Sequence, residues 1–114
     1  MAVVEVAVAE LRKALALGAT LIDVRETHEY EAGHVAGAVL IPMGTVPDRI
    51  DAFRGEGPAY LICRSGVRSL RVCEYLAQQG VEAINVVGGM LAWVELGQPV
   101  LEGPVQVVVQ DSVQ

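Results

Sequence analysis

Cys63 begins a short basic segment whose composition suits a reactive thiol. The segment reads Cys63-Arg64-Ser65-Gly66-Val67-Arg68-Ser69. Arg71 follows it, and no acidic residue occurs from position 63 to position 71. Guanidinium and backbone N–H groups favour an ionised thiol, so we expect the pKa of Cys63 to lie below that of free cysteine. The alternative is a packing cysteine beside a solvated arginine face, since free cysteine is often simply buried.

The segment joins a predicted central strand to a predicted helix. Residues 59–62 are almost wholly apolar, as a central parallel strand requires. Residues 68–79 have helical spacing, and Cys73 falls on the apolar face, which predicts a core position. Ligands of open α/β sheets gather beyond the carboxyl ends of the strands, where helix N-termini attract anions. Gly66 would allow the backbone to curl into an anion-binding nest at this point.

Short β-rich runs alternate with amphipathic stretches along the chain, which predicts an α/β fold with parallel βαβ units. The expected strands cover residues 3–6, 20–24, 38–41, 59–62 and 83–87. The expected helices cover residues 9–17, 27–32, 47–53, 68–79 and 90–96, with Pro47 in the first turn of the third. We expect one domain at residues 1–101 and a tail at residues 102–114, which forms an edge strand, a partner contact or a frayed end.

Composition limits the classes of partner and compartment. The net charge of −6 disfavours binding to nucleic acids or to anionic membranes. No apolar run is long enough to span a bilayer, and the N-terminus does not resemble a signal peptide, so we expect a cytoplasmic protein. Two cysteines in that compartment predict no structural disulfide. The cysteines and two histidines match no zinc spacing, and we expect neither a metal nor an organic cofactor.

Residues 63–69 resemble the active-site loop of the rhodanese-family sulfurtransferases, specifically the single-domain, thiosulfate sulfurtransferase type. Three further segments resemble signatures of the same family in the same order, namely residues 23–25, 33–42 and 87–93. Together the four segments place about residues 4–99 within the resemblance. It implies a rhodanese-like α/β fold, with a parallel-rich sheet of about five strands and helices on both faces.

The resemblance also implies an activity. The Cys63 thiolate would attack the outer sulfur of a donor, form a persulfide, and pass that sulfur to a thiophilic acceptor. The loop Arg64, Ser65, Gly66, Val67, Arg68 and Ser69 would bind the substrate. In this loop Arg64 and Arg68 would hold a small anionic donor such as thiosulfate, and the acceptor would be a thiol or cyanide. A protein could instead be the sulfur donor or acceptor, as when a desulfurase loads a sulfur carrier.

A phosphatase or an arsenate-reductase-like enzyme is the rival from another class. Protein tyrosine and dual-specificity phosphatases also use a loop from cysteine to arginine, but with five residues between the two. Here four residues separate Cys63 from Arg68. The cradle is therefore tighter, and it suits a persulfide sulfur better than a tetrahedral phosphate. A module that only binds is the least favoured alternative, because such family members typically lack the cysteine.

Several other polar residues have two interpretations each. Asp23 ends a buried strand and either orients the loop through Arg68 or Ser69 or caps the following helix. Arg25 either adds positive potential at the site or pairs with a surface glutamate. The simplest interpretation of Glu26, Glu29 and Glu31 is a solvated helix face.

The histidines suggest a cysteine–histidine pair like that of a cysteine protease. A nest that already ionises Cys63 needs no such base, so we expect neither His28 nor His34 to act in catalysis. The resemblance implies a mainly structural role for His34. Trp93 and the pair Gly88-Gly89 predict packing and turn geometry.

Overall fold

The computed structural model describes residues 2–105. Its centre is a five-stranded sheet that consists of β1 Val4–Val6, β2 Leu21–Asp23, β3 Val39–Leu40, β4 Ala59–Ile62 and β5 Ala83–Val86. The strands lie in the order β1-β5-β4-β2-β3, and every neighbouring pair is parallel. Since β4 is the middle strand, the residue that follows it lies at the centre of the carboxyl edge of the sheet.

Helices cover both faces of the sheet. They are α1 Val8–Ala16, α2 Thr27–Ala32, α3 Val67–Gln78 and α4 Gly89–Glu95. Alternate residues of each strand face opposite sides, so Leu61 packs with α3 and Ile62 packs with α1, α2 and α4. Both residues are fully buried. The predicted α/β architecture, a parallel-rich sheet of about five strands with helices on both faces, is confirmed.

The expected helix at residues 47–53 is not formed. Two 3-10 segments, Met43–Asp48 and Ile50–Phe53, occupy this region instead, and Pro47 lies inside the first of them. The backbone N–H groups of Arg49 and Ala52 donate to carbonyl oxygens three residues earlier, at Val46 and Arg49. Pro47 has no N–H group to enter an α-helical ladder, so the tighter turns extend on either side of it.

Part of the predicted tail lies outside the described residues. Leu101 pairs with His34 in an isolated antiparallel bridge, through mutual backbone hydrogen bonds of 2.9 and 2.8 Å. Residues 106–114 of the tail lie outside the described residues, and the domain boundary stays a prediction. Among residues 2–105, no helix combines the length and the apolar character needed to cross a bilayer. The same residues contain no group of three or more histidine, cysteine or acidic side chains placed to hold a metal ion.

Candidate active site

Cys63 follows β4 directly, at the centre of the carboxyl edge of the sheet. The residue is fully buried. Gly66 adopts a left-handed conformation with φ of +97° and precedes the first turn of α3. A side chain with a Cβ would be strained at that φ and would press against the Val86 carbonyl at 3.2 Å. This glycine allows the loop to fold back over the sulfur.

Three hydrogen-bond donors converge on the sulfur of Cys63. The Gly66 N–H donates at 3.1 Å, and the Ser69 N–H and hydroxyl each lie at 3.3 Å. The Ser65 backbone makes a further contact that favours the thiolate. Such a ring of donors is an anion-binding nest, built for a negative charge at this position.

Two opposing effects set the acidity of Cys63. Burial of the sulfur disfavours the thiolate, and its effect is larger than the effect of any one hydrogen bond. The hydrogen bonds from the Ser69 hydroxyl and from the amides of Ser69, Gly66 and Ser65 together outweigh it, so the pKa of Cys63 lies below its usual value. At Cys73, by contrast, burial raises the pKa to about 12. The surroundings therefore favour the thiolate at Cys63 and disfavour it at Cys73.

The Ser69 hydroxyl also belongs to a buried polar chain behind the sulfur. Its oxygen lies 2.6 Å from the side-chain oxygen of Asn85, on β5. The Asn85 amide nitrogen donates to a carboxylate oxygen of Glu5 at 2.8 Å and to the Gly66 carbonyl at 3.1 Å. This series of hydrogen bonds therefore connects the outer strand β1 to the sulfur through the buried side chains of Asn85 and Ser69.

The start of α4 packs against the loop and donates hydrogen bonds to its backbone. The N–H groups of Met90 and Leu91 donate to the carbonyl oxygens of Cys63 and Arg64, at 2.9 and 3.0 Å. Gly89 is in contact with the same two carbonyls, and a Cβ at that position would overlap them. The predicted turn at Gly88-Gly89 thus has a second role, because it allows the closest approach of α4 to the loop.

Arg68 and Glu29 form a paired contact across the site. The two guanidinium nitrogens of Arg68 donate to the two carboxylate oxygens of Glu29, both at 2.8 Å. The hydrogen bond from Arg68 is the main reason that the pKa of Glu29 falls to about 2. Glu29 also accepts the Glu26 N–H at 3.0 Å, within the capping box of α2. The expectation that Glu29 is only a solvated surface residue is wrong.

Asp23 and Arg25 pair with each other. The Asp23 carboxylate accepts the Arg25 backbone N–H at 3.0 Å and the guanidinium at 2.7 to 3.1 Å. Arg25 also donates to the Gly33 carbonyl at 2.8 Å. The expected contact of Asp23 with Arg68 or Ser69 is not formed, and Glu26, not Asp23, caps α2. The pair lies at the carboxyl end of β2, beside β4, and joins the strand to the end of α2.

The remaining loop side chains point outward. Arg64, Ser65 and Val67 are exposed. Arg64 lines a groove of about 420 Å³ together with Leu91 and Val94 of α4, and Glu29 and Arg25 line its polar part. A substrate entering this groove would meet the Arg64 guanidinium beside an apolar wall.

His34 lies away from the sulfur and is part of the packing. Its ring stacks on that of Tyr30 with centroids 3.7 Å apart, and Nδ1 lies 2.7 Å from the Tyr30 carbonyl oxygen. His28 is exposed on α2. Trp93 is buried, and its indole N–H donates to the Pro99 carbonyl at 2.9 Å. The predicted core position of Cys73 is confirmed, since the residue is 1% exposed.

Sequence reasoning missed four residues around the site: Glu5, Glu29, Asn85 and Gly89. Asn85 gave a usable signal, because it is a lone polar residue within an apolar strand and such a residue needs a buried partner. Glu5 and Glu29 gave none, since their contacts join segments 80 and 39 residues apart.

Known proteins share this fold and much of this sequence. The family model of the rhodanese-like domain matches residues 7–96. The putative sulfurtransferase YtwF of Bacillus subtilis (strain 168) is 47% identical over 73 residues, which are 64% of this chain and 71% of that protein. A sulfurtransferase of Allochromatium vinosum is 35% identical over 82 residues, 71% of this chain and 77% of that protein.

A solved structure of a rhodanese-like protein also matches this chain. The crystal structure of a rhodanese-like domain protein from Staphylococcus aureus matches with a TM-score of 0.74 and 39% identity, covering 79% of this chain and 90% of the other. The segment matched by the family model includes the whole loop from Cys63 to Ser69 and the start of α4 that supports it. The chain therefore belongs to the rhodanese-like domain family and has sulfurtransferases among its relatives.

Proposed function

We propose that the protein moves sulfane sulfur from a small anionic donor such as thiosulfate to a thiophilic acceptor, through a persulfide on Cys63. The observation that carries this proposal is the convergence of the Gly66 and Ser69 donors on one sulfur whose pKa lies below its usual value. The same loop would then face the outer sulfur of a persulfide, which also carries negative charge. No metal or organic cofactor enters this chemistry.

The proposed transfer consists of two displacements. The Cys63 thiolate attacks the outer sulfur of thiosulfate, a new S–S bond forms, and sulfite leaves with the electron pair of the broken S–S bond. A thiolate or cyanide acceptor then attacks the outer sulfur of the persulfide, and the Cys63 thiolate leaves. Each step exchanges one nucleophile for another, so the enzyme returns to its starting state.

The charges around the loop support an anionic donor only in part. Arg64 is exposed and, among residues 2–105, has no carboxylate within salt-bridge distance. Arg68 is already paired with Glu29. A donor that carries less charge, such as a persulfide on a partner desulfurase, would need less free positive charge at the site. This observation supports a sulfur carrier loaded by another protein as the second candidate.

The phosphatase candidate is weaker. A phosphate would have to fit among loop amides that already lie 3.1 to 3.3 Å from the sulfur.

We propose the cytoplasm as the compartment, because a reducing environment keeps Cys63 and Cys73 as the free thiols that the structure contains. Neither a nucleic acid nor a membrane is a proposed partner.

A steady-state comparison tests the proposal. Transfer from thiosulfate to cyanide and to a dithiol is measured beside sulfur uptake from a cysteine desulfurase and beside hydrolysis of a phosphate ester. We expect sulfur transfer in the wild type, its loss in Cys63→Ser, and its retention in Cys73→Ala. Uptake from the desulfurase without thiosulfate turnover would favour the carrier, and faster phosphate-ester hydrolysis than sulfur transfer would overturn the proposal.

A further inference from the structure

The Ser69 hydroxyl has one proton and two neighbours that can accept it. One is the sulfur of Cys63 at 3.3 Å, and the other is the side-chain oxygen of Asn85 at 2.6 Å. Ser69 is fully buried and Asn85 is 1% exposed, so no bulk water substitutes for either partner. A hydroxyl donates only one hydrogen bond, and the two acceptors therefore compete for it.

The orientation of the Asn85 amide is fixed by its other contacts. Its nitrogen has two protons, and these go to the Glu5 carboxylate and the Gly66 carbonyl, both of which only accept. The amide oxygen consequently faces Ser69 and can only accept. A rotated amide would place its oxygen against the acceptors of Glu5 and Gly66, so the network excludes it.

We propose that Asn85 is a positioning residue that holds the Ser69 proton while Cys63 is a thiol and releases it to the sulfur when the thiolate forms. In the thiol state, the Cys63 S–H group donates to the Ser69 oxygen, and the Ser69 hydroxyl donates to the side-chain oxygen of Asn85. In the thiolate state the S–H proton has gone to solvent, and the Ser69 O–H turns toward the sulfur. Apart from the S–H bond, no covalent bond forms or breaks.

This competition limits how far the loop can stabilise the thiolate. Turning the hydroxyl breaks its contact with Asn85 and leaves two oxygen acceptors facing each other, which is unfavourable in a buried site. A thiolate that is stabilised less is a stronger nucleophile, because nucleophilicity falls as the thiol pKa falls. When the sulfur becomes a persulfide, the charge moves to the outer sulfur and the hydroxyl can return to Asn85. That last consequence rests on the proposed function, whereas the exchange of the hydroxyl does not.

Other charged and titratable groups also face the site. The loop contributes Arg64, the end of β2 contributes the Asp23–Arg25 pair, and β1 contributes Glu5 through Asn85. On α3, the hydrogen bond to Glu29 is the main cause that raises the pKa of Arg68, and burial is the main cause that raises the pKa of Cys73. The charge of the Cys63 thiolate adds to both. Glu29 on α2 pairs with Arg68. All of these residues remain in the Asn85 and Ser69 variants below. Glu5 alone loses a contact, in the Asn85 variants, and a Glu5→Gln variant controls for its charge.

Titration of Cys63 tests the proposal without any sulfur donor. The probe is the ultraviolet absorbance of the thiolate as a function of pH, with Cys63→Ser as the background, and it needs no reagent to reach the buried sulfur. Asn85→Ala should move the midpoint to lower pH by about one unit, as the loss of one hydrogen bond in the thiol state implies. Asn85→Leu, which fills more of the space, should do the same, and Ser69→Ala should move the midpoint to higher pH.

The double variant Ser69→Ala/Asn85→Ala separates the proposal from a direct effect of the amide dipole. If Asn85 acts through the hydroxyl, the double variant titrates like Ser69→Ala alone. An equal fall of the midpoint with and without Ser69 would overturn the proposal, and so would an unchanged or raised midpoint in the Asn85 variants. Glu5→Gln keeps an acceptor for Asn85 and should titrate like the wild type. A fall in Glu5→Gln as large as in Asn85→Ala would assign the effect to the carboxylate charge and also overturn it.

The wild-type protein offers a second readout if the Asn85 variants do not fold. The side-chain amide resonances of Asn85 should shift with pH at the same midpoint as the Cys63 thiolate, because the oxygen loses its donor there. Ser69→Ala should abolish this response. Amide resonances that do not follow the titration of Cys63, or that follow it equally in Ser69→Ala, contradict the proposal.

Discussion

At the residue scale, the site consists of polar side chains that are buried in pairs. The Asp23 carboxylate is fully buried and Arg25 is 6% exposed, and three hydrogen bonds join the two side chains. The structure leaves no buried side-chain nitrogen or oxygen without a partner in residues 2–105. Pairs of this kind contribute little when intact, because desolvation offsets their attraction, but they are costly to break. The identity of each partner matters more than the number of contacts.

Breaking the Asp23–Arg25 pair should therefore destabilise the fold. Asp23→Ala leaves a buried guanidinium without its carboxylate, and we expect a loss of about 3 to 5 kcal/mol in the free energy of unfolding. The matched control is Asp51→Ala, which removes the carboxylate of the exposed Arg54–Asp51 pair. That change should cost less than about 1 kcal/mol. Urea denaturation of both variants checks the difference, and equal losses would contradict this account.

At the element scale, two contacts hold the loop in place, one from α2 and one from α4. Glu29 joins the capping box of α2 to Arg68 at the start of α3. Gly89 allows the first turn of α4 to donate to the loop carbonyls. Both helices pack on the face of the sheet opposite α3, and the geometry of the loop depends on their positions.

The Glu29–Arg68 contact should depend on pH. Folding lowers the pKa of Glu29 from 4.5 to about 2, so its contribution to stability is fully present above pH 4.5 and is lost as the pH falls through about 2. Glu29→Gln should reduce the free energy of unfolding by about 1 kcal/mol at neutral pH, as expected for a partly exposed paired contact. The difference between wild type and variant should shrink toward pH 2 in urea titrations. A difference that is constant across this range would show that the charge is not the cause.

The close approach of α4 gives a second prediction at this scale. Gly89→Ala places a Cβ against the carbonyls of Cys63 and Arg64 and should cost about 3 kcal/mol or more. Gly80→Ala is the matched control, since Gly80 also has a positive φ, +77°, but has nothing within 4 Å of the added Cβ. It should cost only about 1 kcal/mol. Thermal unfolding separates the two, and similar losses would mean that backbone strain alone acts at Gly89.

At the scale of the whole molecule, the sequence predicts the sheet and the position of the thiol but not the support of the loop. Alternation of apolar runs and helical stretches identifies every strand to within about two residues, because that pattern directly reflects burial. The pattern did not predict the 3-10 segments around Pro47, since over so few residues it does not distinguish an α-helix from short 3-10 turns. The apolar pattern does not predict the contacts of Glu5 and Glu29, because pairing between distant segments depends on the packed fold and not on local spacing.

The charge of the whole chain gives a further prediction. The protein has a net charge of −6, which repels a dianion, so an exposed cation beside the loop should matter for thiosulfate. Arg64→Ala should raise the KM for thiosulfate about fivefold, as the loss of about 1 kcal/mol implies. Arg54→Ala removes the same charge from the opposite edge of the sheet, where Arg54 lies in a groove with Pro58 and Val81. It should leave the KM nearly unchanged, and equal effects would show that only net charge acts.

Intact-protein mass spectrometry tests the central claim most directly, which is that Cys63 carries sulfur. The reduced protein is incubated with thiosulfate or with a persulfide donor, and its mass is measured before and after treatment with a reducing thiol. We expect the mass of one added sulfur atom in the wild type and in Cys73→Ala, no addition in Cys63→Ser, and loss of the sulfur on reduction. Absence of the added sulfur with both donors, or its persistence in Cys63→Ser, would contradict the account.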